Sequence, residues 1–341
     1  MRTTARLLLG ATFSVVPVMI AIGATAPAGV EVLAAVSGAP DTARPTGTPV
    51  SPATPVAADT AVAHEGPTVV ADPRVGDLRS DPAADTLPVS YSPSAAAIVR
   101  RGVAYGEDPA QRIDLHLPEQ PGAPVIVYLH AGGWIAGGPH EVPDVILRFI
   151  ERGYAVASVG YRLAPEHPFP APVDDVRNAL RFLVDALGAD GAIDTDRLVL
   201  AGASAGAHLA TLVAATDGAT SATIDALVAM VGPSDLTTFV DQDHPWARSL
   251  TEAFLACSPC GTEILLAASP TTHLHDQLPP AYFAYGLNDG LVDLHTQGQR
   301  IATAWAHASG AGNTFLDVVD DRGHNLDVTS INQRALEAFI E

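Results

Sequence analysis

The chain has 341 residues, with 38 Asp plus Glu against 18 basic residues that are all arginine, and a formal net charge of −20. A surface this negative repels phosphate, which argues against sequence-independent binding of nucleic acid and against stable attachment to anionic membranes. With 48% hydrophobic and 16% charged residues, the composition is that of a globular protein that buries a large core.

In chain order, Arg2 and Arg6 precede an uncharged stretch over residues 7–26, and small residues follow at Ala24-Thr25-Ala26 and Ala26-Pro27-Ala28. That is the layout of a secretory signal peptide over residues 1–28, so the expected location is secreted or extracytoplasmic. The alternative is an uncleaved membrane anchor, because about 20 apolar residues span a bilayer, although Pro17 weakens it. Residues 29–95 are mostly Ala, Pro, Thr, Val, Asp and Gly; residues 27–93 hold 11 of the 28 prolines and show no sustained period. They read as a disordered or extended linker, with Tyr91 alone to stack on a sugar.

Residues 96–341 read as the folded domain. Segments 99–105 and 112–117 open it as a hairpin, the second alternating Ile113, Leu115 and Leu117 with polar neighbours. Continuous apolar runs at 125–129, 154–159, 198–201, 227–231, 282–285 and 315–319 predict strands buried on both faces of a parallel sheet. Between them Val173, Val176, Leu180, Leu183, Val184 and Leu187 recur at helical spacing, with Gly188 as a stop. Further helices are expected at 142–152, 205–215, 296–308 and 331–339. The fold class is α/β: a mostly parallel sheet of about eight strands with helices on both faces.

Sheets of this kind place their chemistry beyond the carboxyl ends of the strands. After 198–201 comes Gly202-Ala-Ser-Ala-Gly206, a G-x-S-x-G pentapeptide between strand and helix, with Ser204 as candidate nucleophile. Taken alone it is equally well a small-residue helix start. Serine is a poor nucleophile unless a base takes its proton and an acid orients that base. Asp289 follows the 282–285 strand and His324 follows the 315–319 strand, giving the order Ser, Asp, His. Separately these two are as plausible as turn and surface residues; jointly with Ser204 they form a triad, with Asp293 as the reserve acid. The loop His130-Ala-Gly-Gly-Trp134 follows the 125–129 strand, and its consecutive glycines allow backbone amides to face a developing oxyanion. Gly132 and Gly133 are assigned as donors with Ala205, each such donor being worth roughly 3 to 4 kcal/mol.

The run His130 to Trp134, the run Tyr161-Arg-Leu-Ala-Pro-Glu-His-Pro-Phe-Pro-Ala171 with Asp174-Asp175, the Ser204 pentapeptide, Asp289 and Gly323-His324 resemble the α/β-hydrolase esterases around hormone-sensitive lipase. Val103-Ala-Tyr-Gly106, Ile113-Asp-Leu-His-Leu-Pro118 and Ala268-Ser-Pro270 look more like the feruloyl and acetyl esterase relatives, BD-FAE. The resemblance covers residues 99–341 and implies an α/β-hydrolase fold. It also implies carboxylic ester hydrolysis without metal or cofactor, through an acyl-enzyme on Ser204; the substrate expected is a small-molecule ester, short-chain or aryl. Ala131 stands where the family loop usually has its first glycine, Ala203 where the hormone-sensitive group often has Asp, and the linker where that group has a helical cap. Tyr161 to Ala171 reads as architectural, with neither Glu166 nor Asp175 catalytic. The same-class alternative is a peptidase of the prolyl-oligopeptidase kind, and the different-class alternative is a catalytically silent binding protein of the same fold.

Cys257 and Cys260, the two cysteines of the chain, read as a local disulfide in preference to a redox pair or half a zinc site. His273, His275 and Asp276 have only a superficial metal-binding spacing. Trp134, Trp246 and Phe254 are candidates for a pocket wall or for core. The oligomeric state is left open.

Overall fold

Valine, isoleucine, leucine and aromatic residues dominate the apolar runs, and in the computed structural model each run becomes a strand. The described residues are 98–216, 224–242, 244–310, 312–320, 322–324 and 331–341. The signal-peptide and linker expectations for residues 1–28 and 29–95 lie outside them. All described residues fall in one compact unit, His64–Glu341.

The strands are β1 (Ile98–Ala104), β2 (Arg112–Leu117), β3 (Ala123–Leu129), β4 (Ala155–Val159), β5 (Ile193–Ala203), β6 (Ala226–Met230), β7 (Ala281–Gly286) and β8 (Thr314–Val319). They form one sheet in the order β1-β2-β4-β3-β5-β6-β7-β8. β2 is antiparallel to both of its neighbours and every other pair is parallel. The fold class expected from the alternation of apolar runs and helical segments therefore holds.

The helices are α1 (Asp144–Leu147), α2 (Ala171–Phe182), α3 (Ala205–Thr216), α4 (Leu236–Phe239), α5 (Pro245–Leu255), α6 (Thr262–Ala267), α7 (Arg300–Ser309) and α8 (Gln333–Ile340). Because side chains alternate along a strand, each central strand feeds two cores. Val125, Val127, Leu129, Leu198 and Leu200 point to the side covered by α2, α3 and α7. Ile126, Tyr128, Val199 and Ala201 meet Val145, Ile146, Leu336 and Ile340 from α1 and α8 on the other.

Several boundaries differ from the sequence expectation. The helix anticipated over 173–187 is α helix to Phe182 and a π turn over Leu183–Gly188, and the one expected at 296–308 starts two residues earlier as a π turn over Leu294–Gln299. β5 starts at Ile193, because Ile193 and Asp194 pair with Ala123 and Pro124 before the register shifts. The intervening Thr195-Asp-Arg197 is polar and hides this extension from an apolar count. The segment between β6 and β7 carries α4, α5 and α6, none of which the periodicity predicted; two of them are only four and six residues long.

Successive strands run outward from the centre of the sheet in opposite directions: β3 leads to β4 on one side and β5 leads to β6 on the other. The carboxyl ends of β3 and β5 thus flank a topological switch point, where open α/β sheets leave a crevice.

Candidate active site

β5 ends at Ala203 and α3 begins at Ala205, so Ser204 alone makes the turn between them. It takes φ +50°, a region that residues other than glycine rarely adopt. Its amide is held by the Met230 carbonyl at 2.8 Å. Space demands the flanking glycines: a Cβ on Gly202 would stand 2.5 Å from the Gly206 carbonyl carbon, and one on Gly206 would stand 2.1 Å from the Leu129 carbonyl oxygen. Behind Ser204, the first-turn amides of α3 have no partner inside the helix and carry the positive end of its dipole.

The loops after β7 and β8 are brought together by their backbones. A Cβ on Gly286 would lie 2.5 Å from the carbonyl oxygens of Arg322 and Gly323, and the Asn288 amide donates to Arg322 at 2.8 Å. Ser204 Oγ is then 2.9 Å from His324 Nε2, and His324 Nδ1 is 2.9 Å from Asp289 Oδ2. A carboxylate only accepts, so the ring proton is on Nδ1 and Nε2 offers its lone pair to the serine hydroxyl. Asp289 cannot swing away, because its Oδ1 accepts from the amides of Leu291 and Val292, each at 2.9 Å. Asp293, the reserve acid, is occupied elsewhere: its Oδ1 accepts from the Thr296 amide at 2.8 Å and caps the following helix.

The loop after β3 is shaped by three successive residues with positive φ: Gly132 at 118°, Gly133 at 60° and Trp134 at 63°. In a trans peptide the N–H points away from the preceding C=O, so the amide directions follow from what holds the carbonyls. His130 Nδ1 donates to the Ala131 carbonyl at 2.6 Å, orienting the peptide that ends in the Gly132 amide. The amides of Ile135 and Ala136 donate to the Gly132 carbonyl at 3.1 and 3.0 Å, orienting the peptide that ends in the Gly133 amide. Burial pushes the His130 pKa down to about 4, so this ring is neutral. Tyr161 stacks on it with ring centroids 4.2 Å apart, and the Tyr161 hydroxyl donates to the His130 carbonyl at 2.9 Å. Sequence reasoning gave the His130 side chain no task.

The run from Tyr161 to Ala171 packs beside this loop. Asp175 is fully buried and accepts from Arg162 and from Gln111; Glu166 is exposed. Trp134 and Phe254 are core residues, 1% and 0% exposed and stacked on each other with centroids 4.6 Å apart, whereas Trp246 is 65% exposed. The sulfurs of Cys257 and Cys260 are at bonding distance, 2.02 Å. Among the described residues no group of three or more His, Cys, Asp or Glu is placed to hold a metal ion. A cavity of about 310 Å³ bounded by Arg112, Asp114, His130, His140 and Gly160 includes none of Ser204, Asp289 or His324.

Similarity to other proteins agrees with this fold. The chain is 29% identical over 209 residues to the probable carboxylic ester hydrolase LipM of Mycobacterium tuberculosis, covering 56% of this chain and 48% of that protein. It is 29% identical over 223 residues to the isoprenylcysteine alpha-carbonyl methylesterase ICME of Arabidopsis thaliana, covering 60% and 52%. The chain thus spans about half the length of these curated relatives. Among solved structures, a truncated carbohydrate esterase from gut microbiota superposes with a TM-score of 0.64 at 20% identity, over 73% of this chain and 98% of that one. A bacterial heroin esterase superposes with a TM-score of 0.58 at 24% identity, over 72% and 83%. Both have the α/β-hydrolase fold. The BD-FAE family model matches residues 113–304, more than half of the sequence, and on that match the chain belongs to the BD-FAE family of α/β-hydrolases.

Proposed function

We propose that the protein is a serine carboxylesterase that hydrolyses short-chain or aryl carboxylic esters through an acyl-enzyme on Ser204. The observation that carries this reading is the unbroken chain of hydrogen bonds from Ser204 Oγ to His324 to Asp289, each 2.9 Å. Ser204 Oγ attacks the ester carbonyl as its proton passes to His324 Nε2, and the carbonyl oxygen becomes an anion facing the amides of Gly132, Gly133 and Ala205. The tetrahedral adduct collapses, its C–O bond breaks, and His324 returns the proton to the departing alkoxide. Water then repeats the sequence on the acyl-enzyme and releases a carboxylate. Asp289 holds the ring in the tautomer that both half-reactions need and offsets the charge it acquires. The chemistry of these side chains requires no cofactor.

The order of residue types around Ser204, the backbone constraints on both loops and the named ester hydrolases among the relatives all favour this reading. A serine-directed phosphonate should label Ser204, and Ser204→Ala should abolish labelling and lower turnover by about 10⁴-fold or more. Undiminished turnover in that variant would overturn the assignment, and inertness of the wild type across p-nitrophenyl acetate to palmitate would point to the silent binding protein instead.

Export is part of the same reading. It rests on the charge and apolar layout of residues 1–28. Protein recovered from culture medium should begin after residue 26 or 28, and retention in membranes at full length would favour the anchor.

A further inference from the structure

The loop that carries Gly132 and Gly133 ends in Trp134, a buried residue with φ +63°. The Trp134 indole Nε1–H donates to His208 Nδ1 at 3.2 Å. An indole nitrogen only donates, so Nδ1 of His208 is a bare lone pair. The other ring nitrogen, Nε2, is 2.8 Å from the Ala268 carbonyl, which only accepts, so the proton is on Nε2. The two partners admit one neutral tautomer and one ring orientation. Phe254 of α5 stacks on Trp134 and meets the His208 ring edge-on with centroids 5.5 Å apart, closing both rings against movement.

His208 is one helical turn beyond the candidate nucleophile, and its amide donates to the Ser204 carbonyl at 2.9 Å. One side chain therefore joins the first turn of α3 to the far end of the loop after β3. The carbonyls of Ala131 and Gly132 are held by His130 and by the loop's own amides, and that of Trp134 by the Ala164 amide at 2.9 Å. Those bonds shape the loop; Gly206 packs the first turn of α3 against the loop's start at Leu129 and His130, and the bond to His208 ties the loop's far end to the same helix.

We propose that His208 is a positioning residue for the oxyanion site, holding Trp134, and with it the amides of Gly132 and Gly133, at a fixed distance from Ser204. The inference rests on reading Ser204 as the nucleophile. Oxyanion donors act only within hydrogen-bond reach of the oxygen, about 2.7 to 3.1 Å, and a misplacement of about 1 Å lowers rate on the order of 10²-fold. Loosening this link should thus weaken the transition state while leaving ground-state binding largely intact.

The test uses Trp134→Phe, His208→Asn and His208→Gln in the full chain. Trp134→Phe keeps an aromatic ring on Phe254 and removes the indole donor. Asn places its amide oxygen near the site of Nδ1 and keeps an acceptor for Trp134, whereas Gln reaches toward the Ala268 carbonyl with its NH₂ and gives up that acceptor. With p-nitrophenyl acetate, Trp134→Phe and His208→Gln should lower kcat roughly 10- to 100-fold with KM little changed, and His208→Asn should recover most of the loss. Affinity for an aryl trifluoromethyl ketone, whose adduct with Ser204 puts an oxyanion in the site, should fall in step with kcat. Near-UV circular dichroism identifies variants that fold, and Trp134→Phe decides the matter alone if neither His208 variant does. Wild-type kcat in the folded variants, or an Asn variant as impaired as Gln, overturns the inference while Ser204-dependent turnover leaves the nucleophile reading standing. Turnover that survives Ser204→Ala overturns both.

Discussion

Gly206 sits so close to Leu129 that a Cβ built on it would lie 2.1 Å from the Leu129 carbonyl oxygen. The contact sets the first turn of α3 directly on the end of β3, which is why the loop with Gly132 and Gly133 and the turn with Ser204 share one crevice. Gly206→Ala forces the two elements apart. Overpacking of this kind destabilises by about 1 to 3 kcal/mol, and the displaced Ser204 turn should lower ester turnover on the order of 10²-fold. Thermal unfolding and kcat on p-nitrophenyl acetate check the two effects separately; wild-type values in both would show that the backbone shifts without consequence.

Asp289→Asn should leave the fold intact and lower kcat by about 10⁴-fold. The carboxylate accepts from His324 through one oxygen and from two backbone amides through the other. An asparagine retains the oxygen that the amides of Leu291 and Val292 require, and so turns its NH₂ toward His324. That donor favours the ring tautomer with its proton on Nε2, which has no lone pair for Ser204. Comparable turnover in Asp289→Asn and wild type would remove Asp289 from the reaction.

How far the sequence discloses this arrangement depends on whether a feature is local. The strand runs and the residue that follows each one are contiguous signals, so Ser204, Asp289 and His324 could be named before their side chains were seen to meet. The short helices between β6 and β7 give no such signal. In α5 the inward residues Ala247, Thr251 and Phe254 are interleaved with exposed Trp246, which blurs the apolar stripe. The links made by His130 and His208 are equally invisible, because each depends on a ring nitrogen meeting an atom from another element or a backbone carbonyl of particular orientation. For His208 one hint existed in its position four residues after Ser204, a spacing that puts it on the same helical face.

Asp175→Ala should be among the most destabilising single changes in the domain, at about 3 to 5 kcal/mol. Asp175 is fully buried, and it accepts from the Arg162 guanidinium at 2.7 Å, from the Arg162 amide at 2.8 Å and from the Gln111 side chain at 2.7 Å. Alanine takes the carboxylate away from a guanidinium whose side chain is only 26% exposed and from the buried Gln111 amide. The same run of backbone carries Tyr161, whose hydroxyl holds the His130 carbonyl, so partial loss of turnover should accompany the loss of stability. Chemical denaturation reads the first effect, and a change of less than about 1 kcal/mol would mean that water replaces the carboxylate there.

Replacing Cys257 and Cys260, whose sulfurs lie at bonding distance, should have little effect. A chain constraint this short contributes about 2 kcal/mol at most on the entropy estimate, before native strain is subtracted. The double variant Cys257→Ser, Cys260→Ser should therefore stay folded, with turnover within a few-fold of wild type, since the bridge touches none of Ser204, Asp289 or His324. A collapse of activity in that variant would show that the segment between α5 and α6 helps to shape the reaction site.

Stability should fall steeply on mild acidification, and two imidazoles account for part of the slope. Burial holds His130 and His208 down to about 4 from an ordinary value of 6.5. In the unfolded chain both rings take up a proton as pH drops through 6.5, while in the folded chain they resist until pH nears 4, so the unfolded state binds more protons across that window. Folding free energy is therefore undiminished by these groups above pH 6.5, is lost progressively from there to pH 4, and changes no further below it. Each ring contributes roughly 3 kcal/mol to the loss by linkage. Carboxylates titrate in the lower part of the same range, so the discriminating quantity is a difference between proteins. An amide does not titrate, and His208→Asn should narrow the gap in stability between pH 7 and pH 5 relative to wild type. Denaturation curves at the two pH values measure it, and parallel losses in wild type and variant would mean that His208 is protonated in the folded state.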